Sequence, residues 1–221
     1  MIEALINKRD NFEIIRDQIA AILATETASQ MALAVTAGED PNEWKLRVFL
    51  ERFNPWEQFS IKSVVDVSPI VNVWFSDAKF IQASSNVMER QTTEGLFNID
   101  CYVLGQSKDV GAGGHVSGDQ DASLKAGRAV RIIRNILMSD IYVYLGVRGL
   151  VSGKWIESIT VFQPSAEIET IQNLMGARIS LRVGYNEFSP QHDGNPIEYI
   201  STEIKRTEDG EIVATSDVQF P

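Results

Sequence analysis

The chain has 221 residues, 44% hydrophobic and 23% charged, an ordinary globular composition with enough apolar content for a sizeable core. Twenty Lys and Arg against thirty Asp and Glu leave a formal charge of −10, which opposes nonspecific adhesion to nucleic acid or to an anionic membrane. The single cysteine, Cys101, excludes an internal disulfide, and its apolar neighbours make it a small core residue.

The first ten residues place Glu3 early and the basic pair Lys8 and Arg9 after the apolar positions, the reverse of a secretory signal. No run reaches the roughly 18 apolar residues of a membrane helix, so the expectation is a protein that stays in the cytoplasm where it is made. Asp10 can cap a helix in which Phe12, Ile15, Ile19, Ile22 and Leu23 recur at helical spacing through about Ala24. Met31, Leu33 and Val35 then alternate, residues 38–42 punctuate, and Trp44, Leu46, Val48 and Leu50 alternate again, which predicts an inserted β-hairpin over about 30–53. Phe53, Trp56 and Phe59 add aromatic surface at its base. Such aromatics ordinarily cover a core; on a protruding hairpin, Trp44, Phe49, Phe53 and Trp56 are candidates for contact with a partner.

Pro69 opens an extended run through Phe75, followed by a polar connection from Lys79 to Glu94. Residues 96–104 form a strand with Phe97, Ile99, Cys101 and Val103 on one face and Asn98, Asp100 and Tyr102 on the other, paired antiparallel with the run before it. Residues 105–121 carry five glycines and no apolar pattern, and read as a flexible loop whose last acids, Asp119 and Asp121, cap a helix beginning near Ala122. In that helix Ala126, Ala129, Val130, Ile133, Ile136 and Leu137 form an apolar stripe, while Lys125, Arg128, Arg131 and Arg134 lie along another side. A solvated polar face is the plain reading of these cations; the sharper one is a surface that meets acids of a neighbouring subunit.

Residues 153–163 are extended, with Trp155, Ile159 and Val161 on one face, and Pro164 ends the run. Residues 177–187 give the cleanest strand: Ile179, Leu181, Val183 and Tyr185 alternate with Arg178, Ser180, Arg182 and Gly184. A slip of one residue would bury two arginines, so its register is tightly specified. This strand should lie centrally under the second helix, with Arg178 and Arg182 pairing acids of neighbouring strands or reaching an adjacent subunit. Asp209 and Gly210 mark a hairpin turn in a C-terminal β-ribbon over about 197–217. The whole reads as a single α+β domain, a mainly antiparallel sheet with two amphipathic helices packed on it and protruding β-hairpins.

Catalytic and cofactor motifs are wanting. Gly111, Gly113 and Gly114 suggest a phosphate cradle, but Val116 takes the third glycine position of a dinucleotide motif and no Gly-Lys-Ser/Thr follows. Asp119, Asp121 and Ser123 mimic the first ligands of a calcium loop, yet Leu124 stands where glycine is required and Val130 where the last acid belongs. His115 and His192 are isolated in loops, and Cys101 lacks an activating partner. No cofactor, metal or catalytic residue is expected.

The order of elements, together with Ser68-Pro69-Ile70-Val71-Asn72-Val73, Ile132-Ile133-Arg134-Asn135-Ile136-Leu137, Trp155-Ile156-Glu157-Ser158-Ile159 and the strand at 177–187, resembles the tail terminator proteins of long-tailed bacteriophages and related prophages. The resemblance spans about residues 10–187 in pattern; the segments at 31–53 and after Ile197 depart from it. It implies a non-enzymatic virion protein of the tail or neck, assembled in the bacterial host cytoplasm. Such a subunit closes into a homo-oligomeric ring, a hexamer, that caps the tail tube, ends its polymerisation and offers a head-tail joining surface. The implied partners are further copies of the chain, the tail tube protein, the head-tail connector protein, the tail sheath, and genomic DNA passing through the lumen without specific binding; no membrane is implied. In such a ring Lys125, Arg128, Arg131, Arg178 and Arg182 are candidates for the subunit interface, and Gly111, Gly113, Gly114 and His115 join the aromatics above as candidates for partner contact. The alternatives are another neck or head-completion protein, an intracellular adaptor, and a small metal-dependent hydrolase using His115, His192 and nearby aspartates.

Overall fold

The computed structural model describes residues 7, 9–59, 66–81, 90–111, 114–164, 173–188, 199–205 and 212–219. The chain divides by contact into two units, one of Lys8–Phe188 and one made of Met1–Asn7 with Ser189–Pro221, where the sequence reads as one domain.

The larger unit opens with helix α1, Asn11–Ala37. Its first turn is closed at Asp10, whose N–H donates to the Glu13 carboxylate at 3.0 Å. It ends at Gly38 in the left-handed conformation (φ 74°), where the Gly38 N–H donates to the Val35 carbonyl and the Glu39 N–H to the Ala34 carbonyl. The expected hairpin over 30–53 is therefore not formed, because Met31, Leu33 and Val35 lie on this helix. The residues between them are Ala32 and Ala34, strong helix formers and not the polar partners that a half-buried strand needs. α1 also differs from the sequence expectation in hydropathy: an 18-residue window averages 1.3, enough by length and composition to cross a bilayer. Its Ile15, Ile19 and Leu23 are nevertheless fully buried in the core of this unit.

The main sheet of the described residues has five strands. Strand β1, Arg47–Leu50, pairs in parallel with β2, Ile70–Ile81. β2 pairs antiparallel with β3, Arg90–Leu104, as the sequence predicts, but both strands run further, so that Lys79 and Glu94 are paired and not part of a loop. β3 and β7, Leu174–Phe188, pair over their full length, and β6, Val151–Phe162, closes the other edge. The expected central strand is thus internal, with neighbours on both sides. Val71, Val73, Phe97, Ile99, Cys101, Ile179, Leu181 and Val183 share one face and are fully buried. Helices α1 and α2, Gly118–Leu137, pack on that face, the latter chiefly over β7 and β3. Burial in this apolar layer, with Asp100 adjacent, pushes the Cys101 thiol up to about 12, so it is inert.

The glycine-rich stretch is not one open loop. Lys108–Val110 (β4) and Gly114–Val116 (β5) form a small antiparallel hairpin, and α2 begins a turn earlier than expected, with Ser117 at its N-cap position and Asp119 and Asp121 inside its first turn. On β6 a bulge between Ile156 and Ser158 reverses the alternation. Trp155 therefore stands opposite Arg182, on the face away from the helices, while Ile159 stands opposite Ile179; the expected shared face is split. In the smaller unit, β8, Tyr199–Lys205, pairs antiparallel with β9, Ile212–Gln219, over the segment where the sequence places a ribbon.

Candidate functional site

Alternation along β2, β3 and β7 places Asn72 and Trp74, Asn98, Asp100 and Tyr102, and Arg178, Ser180 and Arg182 on the face away from the helices. Asp100 is the hub of this face. It stands directly opposite Arg178 and Asn72, is 3% exposed, and accepts four hydrogen bonds. Arg178 donates from Nε at 2.6 Å and from Nη2 at 2.9 Å, Trp74 Nε1 at 2.9 Å, and the Tyr102 hydroxyl at 3.3 Å. A carboxylate taken this far from water requires such a set of donors, and the two-pronged arginine contact is the strongest of them. The hydrogen bond to Asp100 raises the Arg178 guanidinium above its ordinary value, and burial next to Asp100 pushes the Tyr102 phenol up. The Arg178 guanidinium also lies over the rings of Trp74 and Phe162, at 5.1 and 5.6 Å from their centroids. Further along, the Ser180 hydroxyl donates to Asn98 Oδ1 at 2.9 Å and Arg182 pairs with Glu157 at 2.8 Å.

The rim of this face is set by the exit from β1. Glu51 has φ 50°, a left-handed backbone that costs a branched or bulky residue about 1 kcal/mol or more. Its N–H donates to the Val73 carbonyl, and its carboxylate accepts from the Phe75 N–H and from Arg16, both at 3.1 Å. One residue on, the Asn72 side chain imitates a strand neighbour: it accepts from the Arg52 N–H at 3.0 Å and donates to the Arg52 carbonyl at 2.9 Å. The chain is thereby turned outward at a fixed point. Arg52 stacks over Phe49 at 4.8 Å, Phe53 is 93% exposed, and Trp56 packs on Tyr102 with ring centroids 5.0 Å apart. Arg52, Phe53, Trp56 and Tyr102 line, together with Phe162 and Arg178, a groove of about 670 Å³, floored by the apolar cluster around Tyr102 to which Phe49 belongs.

The cations of α2 are arranged differently. Lys125 pairs with Asp121 at 2.7 Å, and Arg128 pairs with Glu43 and lies over Trp44 at 5.7 Å; Arg131 and Arg134 are exposed. Trp44, Arg128 and Arg131 line a second cleft of about 480 Å³ beside Tyr142. Burial on its own would raise the Asp121 carboxyl, but hydrogen bonds from Lys125, the Gln106 N–H and Lys108 outweigh it and hold the group at about 2, below its ordinary 3.8. A depressed carboxylate contributes stability that is full above the ordinary value and is lost as pH falls through the folded one. Asp121→Asn should therefore lower stability at pH 7 by about 1–2 kcal/mol, an amount reduced because Lys108 and Lys125 reach solvent. The difference from wild type should vanish between about pH 4 and pH 2, as read by urea unfolding across that range.

Of the residues singled out from sequence, Phe49, Phe53, Trp56 and Arg178 meet on the outer sheet face, whereas Trp44 stands with Arg128 and Arg131 at the helix cleft. Lys125 and Arg128 engage acids of their own chain, as do Arg178 and Arg182. Gly111 and Gly114 sit at the turn of the β4–β5 hairpin, with His115 Nδ1 2.9 Å from Asp109; Gly113 and His192 lie outside the described residues. Sequence reasoning did not select Asp100, Asn72, Trp74 or Arg52. The signal for Asp100 was its place in the polar alternation of β3. Among the described residues no group of three or more His, Cys, Asp or Glu is placed to hold a metal ion. The chain matches no protein-family model and no curated protein sequence.

Proposed function

We propose that this chain is a ring-forming assembly subunit of a long-tailed phage neck, acting as the tail terminator that caps the tube and meets the head. The observation that supports the reading beyond the sequence resemblance is the sheet edge at β6, which among the described residues has a strand neighbour on one side only. β6 is a 12-residue edge strand on which Trp155, Ile159 and Val161 are 43%, 45% and 60% exposed. Long apolar edges are hazards that proteins shorten, charge or cover, and cover by a neighbouring copy is the remedy that makes an assembly. A contact between this edge and a different surface of the next copy is head-to-tail, and closes into a ring when the rotation permits. Six copies would carry a formal charge of about −60, and acids facing a lumen would let DNA pass without sticking. Negative-stain microscopy of the purified protein, alone and with tail tubes, should show rings and rings seated on tube ends. A monomer at high concentration beside bare tube ends would overturn the reading.

A further inference from the structure

We propose that the groove on the outer sheet face, between Arg52, Phe53, Trp56, Trp74, Phe162 and Arg178, is a docking site for an acidic segment of a partner protein that brings an apolar side chain with its carboxylates. This surface does not rest on ring formation.

The first argument is charge. Within the groove Asp100 is neutralised by Arg178, and Glu51 is committed to Arg16 at 3.1 Å. Arg52 makes no ion pair among the described residues, so the groove keeps one uncompensated cation in a chain whose formal charge is −10. Arg178 spends Nε and Nη2 on Asp100, and its Nη1 has no hydrogen-bond partner among the described residues. Each guanidinium lies over aromatic rings, Arg52 over Phe49 and Arg178 over Trp74 and Phe162, and the two bonds of Arg178 to Asp100 restrict where its remaining N–H groups point. Planar donors held this way suit carboxylates.

The second argument is preorganisation. Phe53 is 93% exposed, the most exposed large apolar side chain among the described residues. It is not on a loose end, because the Asn72 clamp on Arg52 and the three hydrogen bonds of left-handed Glu51 hold the backbone just before it. An exposed aromatic on a backbone held in place, at the rim of a groove that Trp56 and Phe162 also line, is the form that interface anchors take, since little backbone freedom is lost on binding. The cavity, about 670 Å³, is of the size that binding sites occupy. A nucleic acid is the less suitable occupant: base-stacking grooves follow the backbone with many cations, and here a single arginine is uncompensated.

The test uses the full chain and fluorescence anisotropy with three labelled probes: a short synthetic peptide alternating aspartate and leucine, its lysine and leucine counterpart, and oligothymidylate. The acidic peptide should bind, more weakly as salt rises, and the other two should not. Arg52→Glu and Phe53→Ser should each weaken it by at least about tenfold. Their melting temperatures should stay at the wild-type value, since both side chains are exposed, and Arg148→Glu, at an exposed cation outside the groove, should leave binding unchanged. The proposal is overturned by failure of the acidic peptide to bind, by equal binding of the basic peptide, by preference for oligothymidylate, or by wild-type affinity in both groove variants. Rings on tube ends with no peptide binding would leave the tail-terminator reading standing and remove this one.

Discussion

Asp100→Ala should destabilise the protein by about 3–5 kcal/mol, because it strands one partner of a desolvated ion pair and removes an acceptor shared by several donors. The Trp74 indole N–H and the Tyr102 hydroxyl lose their partner in the same step. Arg178 can recover some hydration because its side chain is 37% exposed, which places the expected loss toward the lower end of that range. Asp100→Asn should cost less, since the amide oxygen still accepts from Trp74 or Tyr102 while the guanidinium goes without its counter-charge. The informative variant is the double one. Asp100→Ala with Arg178→Met should be more stable than Asp100→Ala alone, because it removes the uncompensated cation along with its partner. Guanidinium-induced unfolding of the wild type, Asp100→Ala, Arg178→Met and the double variant gives the cycle. A loss below about 1 kcal/mol for Asp100→Ala would mean that water, and not the hub, already satisfies this face.

The strands at the centre of the sheet were legible because polarity changes at every residue. Along β7 an arginine, serine or glycine separates each buried aliphatic residue, and along β3 Asn98, Asp100 and Tyr102 do the same. What the alternation could not convey is that the polar side of β3 is also buried, at 4%, 3% and 4% exposure. The cover comes from Trp56, nearly fifty residues before Tyr102, and from Phe162, sixty after it, while the partner of Asp100 lies on β7. None of these is a local signal. α1 was cut short for a related reason: beyond Ala24 its apolar residues alternate with alanine, a pattern that satisfies a period of two only if alanine counts as polar. The bulge in β6 shows the same limit, since a single extra residue reverses every later side chain and leaves no mark on composition.

The candidate site was legible in pieces. In the sequence Phe53 and Trp56 belong to the aromatic surface of an expected hairpin and Arg178 to the outward face of the cleanest strand, and the fold brings them to one groove. The missing piece was Asn72. Its side chain fixes the turn at Arg52, and a lone asparagine within an apolar run gives no hint that it will bond backbone twenty residues away.

Gly105→Ala should cost about 3 kcal/mol or more, at the upper end of what overpacking does. A Cβ there would lie 1.8 Å from the Gly118 carbonyl oxygen and 2.6 Å from the Ala122 nitrogen. Both are backbone atoms of the first turns of α2, so no side-chain rotation can relieve the clash; the helix must move away from the end of β3. That movement would pull Asp121 from the Gln106 N–H, which it now accepts at 3.0 Å, and loosen the Gly105 N–H from the Asn173 carbonyl. The same substitution at Gly127 should act in the other direction. Gly127 is exposed on α2 with nothing within 4 Å of a Cβ, so alanine there should raise stability by about 0.5–1 kcal/mol through backbone entropy alone. Thermal and urea unfolding of the two variants separates a close helix–strand approach from a general intolerance of α2 to change. If Gly105→Ala unfolds at the wild-type midpoint, the first turn of α2 does not seat against the end of β3, and the acid-sensitive contact of Asp121 loses its geometry with it.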